Sequence, residues 1–375
     1  MGGAVKGAVL ITGTTGFVGM ELLARYLERS DREIFALVRA ADDDAARERI
    51  DSVLENLFGS RVAKRYADRV HPIAGELTES GLGLGAERSR ELAGRVSTIV
   101  HSAASVSFTL PLDEAREINV EGTRRMLEFA ELAQEHGGLE RYGHVSTAYV
   151  AGTHDGSFAE CDLDVGQEFN NSYEQSKFEA EQLVRAKTEL PTTIMRPSIV
   201  VGDRQSGWTF AFNVLYWPLR AFARGMFESV PAVSSAPVDV VSVDYVADAI
   251  YELCESDGGI GETYHLTAGA QASTIGEIAK LASGYFRRPA PRVLPPDEFK
   301  IDPDSREGQA LEGSKAYFPY FSIRAVFDSA ATRARLEPVG ILVSPLGDYL
   351  ERLLDFATRS RWGKRPITRV DAVAP

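Results

Sequence analysis

Two side chains suited to proton transfer, Tyr173 and Lys177, stand four positions apart in the sequence. A helix-like run follows over residues 178–184, so the spacing predicts that both side chains share one helical face. A phenol ordinarily loses its proton at about pH 10, and a nearby ammonium favours the phenolate. We therefore expect Lys177 to lower the pKa of Tyr173 and to make it a proton donor for a developing oxyanion. The same spacing also occurs on ordinary surface helices, so the interpretation needs support from other residues.

Ser146 and Thr147 stand at the carboxyl end of a strand predicted over residues 141–147. Ligands of open parallel sheets bind beyond the carboxyl ends of the strands, which would place Ser146 and Thr147 at a ligand-binding edge. Serine and threonine also cap strands and helices, which is the alternative explanation for this pair.

A glycine-rich turn follows the first predicted strand, residues 8–12, and leads into a helix predicted over residues 20–29. Strand, glycine turn and helix form the context of a dinucleotide site, with the pyrophosphate at the helix N-terminus. The spacing is GxxGxxG, and a purely structural turn is the alternative. The predicted cofactor-binding residues of this turn are Gly13, Thr14, Thr15, Gly16, Phe17, Val18 and Gly19.

A second strand, residues 33–38, ends at Arg39, where an acidic residue would be expected for the 2′-hydroxyl of NAD. A guanidinium suits a 2′-phosphate instead, and Arg49 on the next predicted helix could reach the same group. The pattern therefore favours NADPH. A solvated charge at a strand end is the alternative for Arg39.

Further strands are predicted over residues 70–77 and 98–104, and a sixth strand with its exit loop over residues 192–202. These strands alternate with helices, which predicts an α/β fold with a doubly wound parallel sheet. Asn119 could hold a water or a backbone carbonyl beside the site, or could simply begin a helix. The other residues predicted to contact the cofactor along the strand ends are Glu76, Leu77, Ser102, Ala103, Ala104, Pro197, Ser198 and Ile199.

The second half of the chain departs from this alternation. Residues 208–227 predict a helix that walls a substrate cleft, with Arg220 and Arg224 as candidate phosphate ligands or solvent-facing charges. His265 lies inside a predicted strand and is interpreted as structural. Residues 289–319 predict irregular structure, residues 343–358 a late helix, and residues 359–375 a frayed end. We divide the chain into a dinucleotide-binding domain (1–200 and 237–268), a smaller, mainly helical substrate-binding domain (201–236 and 269–360) and a tail (361–375).

The composition excludes several other classes of protein. The 375 residues are 44% hydrophobic and 25% charged, with a formal net charge of -13 that disfavours nucleic acid or anionic membrane as the main partner. The two cysteines, Cys161 and Cys254, lack metal-ligand spacing and are expected to be reduced, and no metal site is predicted. We find no signal peptide and no stretch long enough to span a membrane, so a cytoplasmic protein is expected.

Together these motifs resemble the extended branch of the short-chain dehydrogenase/reductase superfamily over about two-thirds of the chain. Finer features resemble the thioester reductases, which include the terminal reductase domains of carboxylic acid reductases and peptide synthetases and the fatty acyl-CoA reductases. The stretches that carry this resemblance are residues 12–19, 37–39, 144–150, 170–181 and 238–249. Glu76 departs from the usual aspartate, and residues beyond Gly269 give no firm match.

The resemblance implies a catalytic set of Thr147, Tyr173 and Lys177, with Lys177 also binding the nicotinamide ribose. It implies NADPH-dependent reduction of an acyl-CoA or carrier-protein thioester to an aldehyde, with further reduction to an alcohol left open, as are acyl length and oligomeric state. Two alternatives remain: a related enzyme acting on a nucleotide sugar or sterol alcohol, and a non-catalytic dinucleotide sensor.

Overall fold

The computed structural model describes residues 7–212, 214–226, 228–295, 298–299 and 315–373. The strands in chain order are β1 (Ala8–Thr12), β2 (Ile34–Val38), β3 (Val70–Ala74), β4 (Val96–His101), β5 (Arg141–Val145), β6 (Asp155–Phe158), β7 (Thr192–Pro197), β8 (Ile199–Val201), β9 (Ser229–Pro231), β10 (Pro237–Val238), β11 (Val240–Ser242), β12 (Thr263–Leu266), β13 (Ser273–Thr274), β14 (Arg292–Leu294) and β15 (Arg324–Phe327). The α-helices are α1 (Phe17–Arg29), α2 (Asp43–Tyr66), α3 (Ala86–Ala93), α4 (Leu112–Arg116), α5 (Gly122–His136), α6 (Ser172–Arg185), α7 (Tyr216–Ala223), α8 (Val243–Glu255), α9 (Ile275–Phe286), α10 (Ala330–Leu336), α11 (Leu350–Arg359) and α12 (Arg369–Val373).

The main sheet has seven strands in the order β12-β7-β5-β4-β1-β2-β3, and every neighbouring pair is parallel. Strands such as β1 and β2 are buried along their whole length because helices cover both faces, which explains their continuous apolar sequences. The strand order reverses between β1 and β4, where parallel sheets open a crevice for ligands. The predicted doubly wound α/β fold is confirmed.

Separate hydrophobic clusters stabilise the two faces of the sheet. One cluster contains Leu23 of α1 and Val246 of α8, and the other contains Met126 of α5 and Val184 of α6. A third cluster joins α7, α9 and α11 outside the sheet. Much of the predicted second region thus packs together, although β6 also joins it by pairing with β15; the division into domains stays a prediction.

The helix predicted over residues 208–227 is wrong in length. The observed helix is α7, Tyr216–Ala223. Pro218 lies in its first turn, the position where a missing N–H is tolerated, so the helix cannot extend far upstream. Residues 213 and 227 of this prediction lie outside the described residues.

Trp208 belongs instead to the cluster beside the glycine turn. Its side chain is 1% exposed, and its ring centroid lies 5.7 Å from that of Phe17, the first residue of α1. The indole nitrogen donates to the carbonyl of Ile367 at 3.1 Å. The aromatic residues of this stretch therefore serve two different cores.

The end of the chain also differs from the sequence prediction. The late helix begins at Leu350 because a separate 3-10 turn, Leu346–Asp348, precedes it, with Pro345 before the turn and Gly347 inside it. The prediction of a frayed tail is wrong, because the tail contains α12 and the Nε of its Arg369 pairs with a Glu21 oxygen at 2.7 Å. The segment predicted to be irregular contains β14 and the start of a 3-10 turn, Lys315–Phe321. Residues 296–297 and 300–314 of this segment lie outside the described residues.

Candidate active site

Tyr173 and Lys177 lie on one face of α6, as the spacing predicts. The helix begins after Asn171, whose side chain accepts a hydrogen bond from the backbone N–H of Glu174 at 3.0 Å. Lys177 is 3% exposed, and its Nζ donates to the carbonyl of Val145 at the end of β5, at 2.8 Å. The helix is thereby fastened to the carboxyl edge of the sheet.

Thr147 lies two residues beyond the end of β5 and next to the phenol of Tyr173. Its hydroxyl accepts from the N–H of Tyr149 at 3.2 Å and reaches the carbonyl of Pro197 at 3.4 Å. A hydrogen bond between Thr147 and Tyr173 acts to lower the pKa of the phenol. The three residues predicted as a catalytic set therefore converge.

The electrostatics of this set differ from the sequence prediction. Burial raises the pKa of Tyr173 to about 12, with the Thr147 hydrogen bond opposing and the charge of Glu174 adding to the rise. Burial lowers the pKa of Lys177 to about 8, against the opposing charge of Glu181. The expectation that the lysine lowers the pKa of the tyrosine is wrong, because the Lys177 ammonium is directed to a backbone carbonyl.

Two glycines of the turn after β1 are required by its geometry. Gly13 has φ +79°, and a Cβ there would lie 2.8 Å from the nitrogen of Ala103; a Cβ on Gly19 would lie 2.1 Å from the carbonyl oxygen of Gly13. Gly16 precedes α1, whose N-terminus carries no side-chain cap. Its first N–H groups are therefore available to an anion, and this cradle fits the pyrophosphate of a dinucleotide.

The strand ends beside this turn are tied together by hydrogen bonds. The hydroxyl of Thr12 accepts from the N–H groups of Ser102 and Ala103, both at 3.1 Å. Asn119 lies in a π-helical turn, Glu117–Glu121. Its side chain accepts from the N–H of Ser105 at 2.8 Å and donates to the Ser105 carbonyl at 3.1 Å. The Asn119 side chain therefore holds a backbone carbonyl, and its contact with the cofactor stays a prediction.

Two cations lie near the turn at the end of β2. The Arg49 guanidinium donates to the backbone carbonyl of Arg39 and approaches the Thr15 hydroxyl at 3.3 Å. Both arginine side chains are exposed. They therefore remain available to a phosphate beside the turn.

The remaining predicted cofactor residues lie along the same edge. Glu76 follows β3, and its N–H donates to the carbonyl of Leu82 at 3.0 Å. Ser198, between β7 and β8, donates its N–H to the carbonyl of Leu266, and Ile199 donates to that of Asp239, both at 3.2 Å. The other three predicted residues of this edge are Leu77 after β3, Ala104 after β4 and Pro197 at the end of β7.

A buried ion pair behind α6 was not predicted. Glu181 and Arg196 are both 0% exposed, and two guanidinium nitrogens meet the two carboxylate oxygens at 2.6 and 3.0 Å. The same carboxylate accepts from the Ser146 hydroxyl at 2.7 Å, next to Thr147. Arg196 also meets a ring nitrogen of His265 at 3.0 Å, and the other nitrogen contacts the carbonyl of Asp328, which confirms a structural role for this histidine.

An aromatic wall near Tyr173 was also missed. Phe108 stacks on Tyr320 with ring centroids 5.1 Å apart and lies 5.7 Å from the Tyr173 ring. The Tyr320 hydroxyl donates to the buried carboxylate of Glu174 at 2.5 Å. No local sequence signal marks this contact, because its partners are 146 residues apart.

Metal clusters and membrane-spanning helices are absent from the described residues. No group of three or more histidine, cysteine, aspartate or glutamate side chains there could hold a metal ion. None of the helices in that part of the chain is long and apolar enough to cross a membrane. Cys161 is exposed, Cys254 is buried and both are free, as predicted.

The fold is shared with solved reductase domains. The terminal R domain of the myxalamid PKS-NRPS biosynthetic pathway matches with a TM-score of 0.82 and 28% identity, over 98% of this chain and 94% of that chain. A reductase domain of a nonribosomal peptide synthetase from Mycobacterium tuberculosis matches with a TM-score of 0.72 and 22% identity, over 96% and 93% of the two chains. At that identity the second match shows the fold alone.

Sequence relatives are longer proteins. The Drosophila melanogaster protein "Putative fatty acyl-CoA reductase CG8303" is 29% identical over 276 residues, which are 64% of this chain and 50% of that protein. The nonribosomal peptide synthetase asaC of Aspergillus flavus is 30% identical over 278 residues, 70% of this chain and 26% of that protein. The chain thus spans half or less of the length of these relatives.

A family model named for NAD binding and described as male sterility protein matches residues 11–250. That range contains the glycine turn, Thr147, Tyr173 and Lys177. The chain therefore belongs to the male sterility protein family, a thioester reductase type within the extended short-chain dehydrogenase/reductases.

Proposed function

We propose that the chain is an NADPH-dependent reductase that converts acyl thioesters to aldehydes. The observation that carries the proposal is the convergence of Thr147, Tyr173 and Lys177 at the carboxyl edge of the sheet that also carries the glycine turn. A hydroxyl and a phenol that meet there form a pair of donors for one substrate oxygen. The relatives include a fatty acyl-CoA reductase by name and peptide synthetases, which supports a thioester substrate.

The reaction balances as one hydride addition and one bond cleavage. Bound NADPH would supply the hydride to the thioester carbonyl carbon. The carbon–sulfur bond then breaks, the thiol leaves with a proton, and an aldehyde remains. This chain's residues have two tasks: to hold the substrate oxygen and to manage its charge.

Thr147 and Tyr173 would donate hydrogen bonds to the oxygen as negative charge develops on it. Because burial holds the pKa of Tyr173 at about 12, its phenol stays protonated at neutral pH and is a donor. Loss of one such donor typically costs about 2.7–4 kcal/mol of transition-state stabilisation. Lys177, with a pKa of about 8, is mostly protonated at neutral pH and would bind the ribose, while its hydrogen bond to the Val145 carbonyl holds it at the sheet edge.

The proposed cofactor contacts follow the carboxyl edge of the sheet. The turn from Gly13 to Gly19 would bind the pyrophosphate, and Arg39 and Arg49 the 2′-phosphate. The remaining contacts proposed along the edge are Glu76, Leu77, Ser102, Ala103, Ala104, Asn119, Pro197, Ser198 and Ile199.

The direct test is to incubate the purified protein with NADPH and butanoyl-CoA, and in parallel with butanoyl-pantetheine on a carrier protein. We expect the absorbance of the reduced nicotinamide to fall while free thiol appears. One thiol per NADPH means that the aldehyde is the product, and one thiol per two NADPH means that the alcohol is. Oxidation of a nucleotide sugar or sterol alcohol, with no thiol released from any thioester, would contradict the proposal and favour the alternative enzyme.

A further inference from the structure

An apolar pocket of about 90 Å³ lies between α7 and α9. Leu219 and Phe222 of α7 face Ile278, Ala279 and Ala282 of α9 across it. The two alanines create the space, because larger side chains at their positions would fill it. Among the described residues that line the pocket, none carries a charge, and the Tyr320 hydroxyl is the one side-chain polar group.

Two residues of the pocket wall belong to segments that also form the candidate active site. Tyr320 forms part of its wall, and the hydroxyl of Tyr320 binds Glu174, the residue after Tyr173 in α6. Ile199 forms part of another wall, two residues beyond Pro197, whose carbonyl is contacted by Thr147. The ring of Tyr320 also stacks on Phe108, whose centroid lies 5.7 Å from that of Tyr173, so the pocket wall is linked to the proposed donor by aromatic contacts.

The lining restricts the chemistry of the occupant. An ionised group would lose its hydration without gaining a charged partner, which is strongly unfavourable. An alkyl group loses no polar hydration. Its burial is favourable by about 0.8 kcal/mol for each methylene transferred out of water. An uncharged apolar group is the occupant that this wall favours.

The volume restricts its size. A dry cavity of about 150 Å³ accommodates benzene, and a water molecule has a share of about 30 Å³ in the liquid. A space of about 90 Å³ therefore holds a group smaller than a benzene ring, such as an alkyl end of a few carbons.

We propose that this pocket binds the apolar end of the substrate's acyl group and selects short-chain acyl thioesters. The proposal rests on the thioester reductase activity proposed above and specifies its substrate class. Long fatty acyl chains would then have to leave the pocket or be rejected.

The test measures kcat/KM with NADPH for a series of acyl-pantetheine thioesters from acetyl to dodecanoyl. For the unaltered protein we expect the highest values for butanoyl and hexanoyl, with a fall of at least tenfold by dodecanoyl. Filling the pocket with Ala282→Leu should lower the ratio of kcat/KM for hexanoyl to that for acetyl about tenfold. This lies within the range of discrimination that one or two methylenes give in apolar pockets. Enlarging it with Leu219→Ala should move the optimum to longer chains.

Lys280→Leu is the matched control, because it adds the same side chain at an exposed position of the same helix. It should leave the ratio unchanged. Ala279→Leu, at a half-buried position of the pocket, replaces Ala282→Leu if the latter does not fold. Thermal unfolding of each variant verifies folding.

The outcomes separate this proposal from the one it rests on. If the unaltered protein releases no thiol from any thioester, the reductase proposal itself fails. If it does release thiol, but Ala282→Leu and Ala279→Leu keep the hexanoyl-to-acetyl ratio of the unaltered protein, the pocket is not the acyl site. A preference of the unaltered protein for dodecanoyl would overturn the assignment in the same way.

Discussion

The carboxyl edge of the sheet is formed by polar side chains, whereas the pocket beside it is formed by apolar side chains. At the edge, buried polar groups such as Lys177 and Glu181 are held by specific hydrogen bonds and an ion pair. In the pocket, the described lining is aliphatic and aromatic apart from the Tyr320 hydroxyl. The two regions meet where Tyr320 binds Glu174.

The difference shows how each region responds to change. Hydrogen bonds are directional and leave costly unpaired groups when a partner is lost, whereas apolar contacts are non-directional and scale with area. Substitutions at the edge should therefore have large effects on every substrate. Substitutions in the pocket should have smaller effects that depend on the acyl chain.

The largest expected effect at the edge is that of Tyr173→Phe. Removal of the proposed proton donor should lower kcat about a hundredfold to ten-thousandfold with all acyl thioesters. NADPH affinity, measured by titration calorimetry, should stay nearly unchanged because the ring remains. Tyr142→Phe is the matched control, since the Tyr142 hydroxyl is buried in β5 without a hydrogen-bond partner among the described residues. Full activity of Tyr173→Phe would show that the Tyr173 phenol is not the proton donor of the reaction.

The ion pair behind α6 should dominate stability. Glu181→Ala leaves the Arg196 guanidinium buried without its carboxylate, and such a loss typically costs about 3–5 kcal/mol of unfolding free energy. Asp155→Ala, which breaks the exposed pair with Arg324, should cost at most about 1 kcal/mol. Urea denaturation measures both. Equal losses of unfolding free energy in the two variants would mean that the buried pair contributes no more to stability than the exposed pair.

Cofactor selectivity should depend on Arg39. Arg39→Ala should weaken NADPH binding about tenfold to a hundredfold, the range for hydrogen bonds to a charged group, and should leave NADH nearly unaffected. Arg95→Ala is the control, because that arginine pairs with Glu33 at the opposite edge of the same sheet. Equal losses for the two cofactors would contradict the assignment to the 2′-phosphate. Fluorescence titration of each dinucleotide gives the ratio.

The smallest effect should be a pH dependence set by Lys177. Since its pKa is about 8 in the folded chain, kcat/KM should fall as pH rises through that value and the ammonium is lost. The free energy of unfolding changes with pH in the opposite direction. Between pH of about 8 and 10 the unfolded chain binds more protons at this lysine, whose ordinary pKa is about 10.4, so stability rises with pH there.

Lys177→Met should remove that rise, whereas Lys280→Met, at an exposed lysine, should retain it. Urea denaturation of the cofactor-free proteins across this pH range measures the difference. A slope that is identical in all three proteins would show that Lys177 titrates normally.

Local patterns in the sequence predict the edge well. The turn at Gly13 and Gly19 follows from a strand, a glycine spacing and a helix that are contiguous in the chain, and the structure requires glycine at both positions. The helical face shared by Tyr173 and Lys177 needs one turn of spacing. Such features depend on neighbours in sequence and are therefore readable there.

Contacts between distant segments could not be predicted in the same way. The direction of the Lys177 ammonium depends on the position of the Val145 carbonyl, and the rise in the pKa of Tyr173 comes from burial by segments distant in sequence. The pairing of Glu174 with Tyr320 joins residues 146 positions apart. Periodicity reveals which faces are apolar, but it does not reveal which segment covers them.

The packing of Trp208 against Phe17 has a practical consequence. An indole sealed from water and packed on the first residue of α1 is a built-in fluorophore beside the proposed pyrophosphate site. Occupancy of that cleft should change its emission, and Trp208→Phe should abolish the change while Trp217 and Trp362 continue to emit. Cofactor capture can then be followed in real time, without a label and before any turnover.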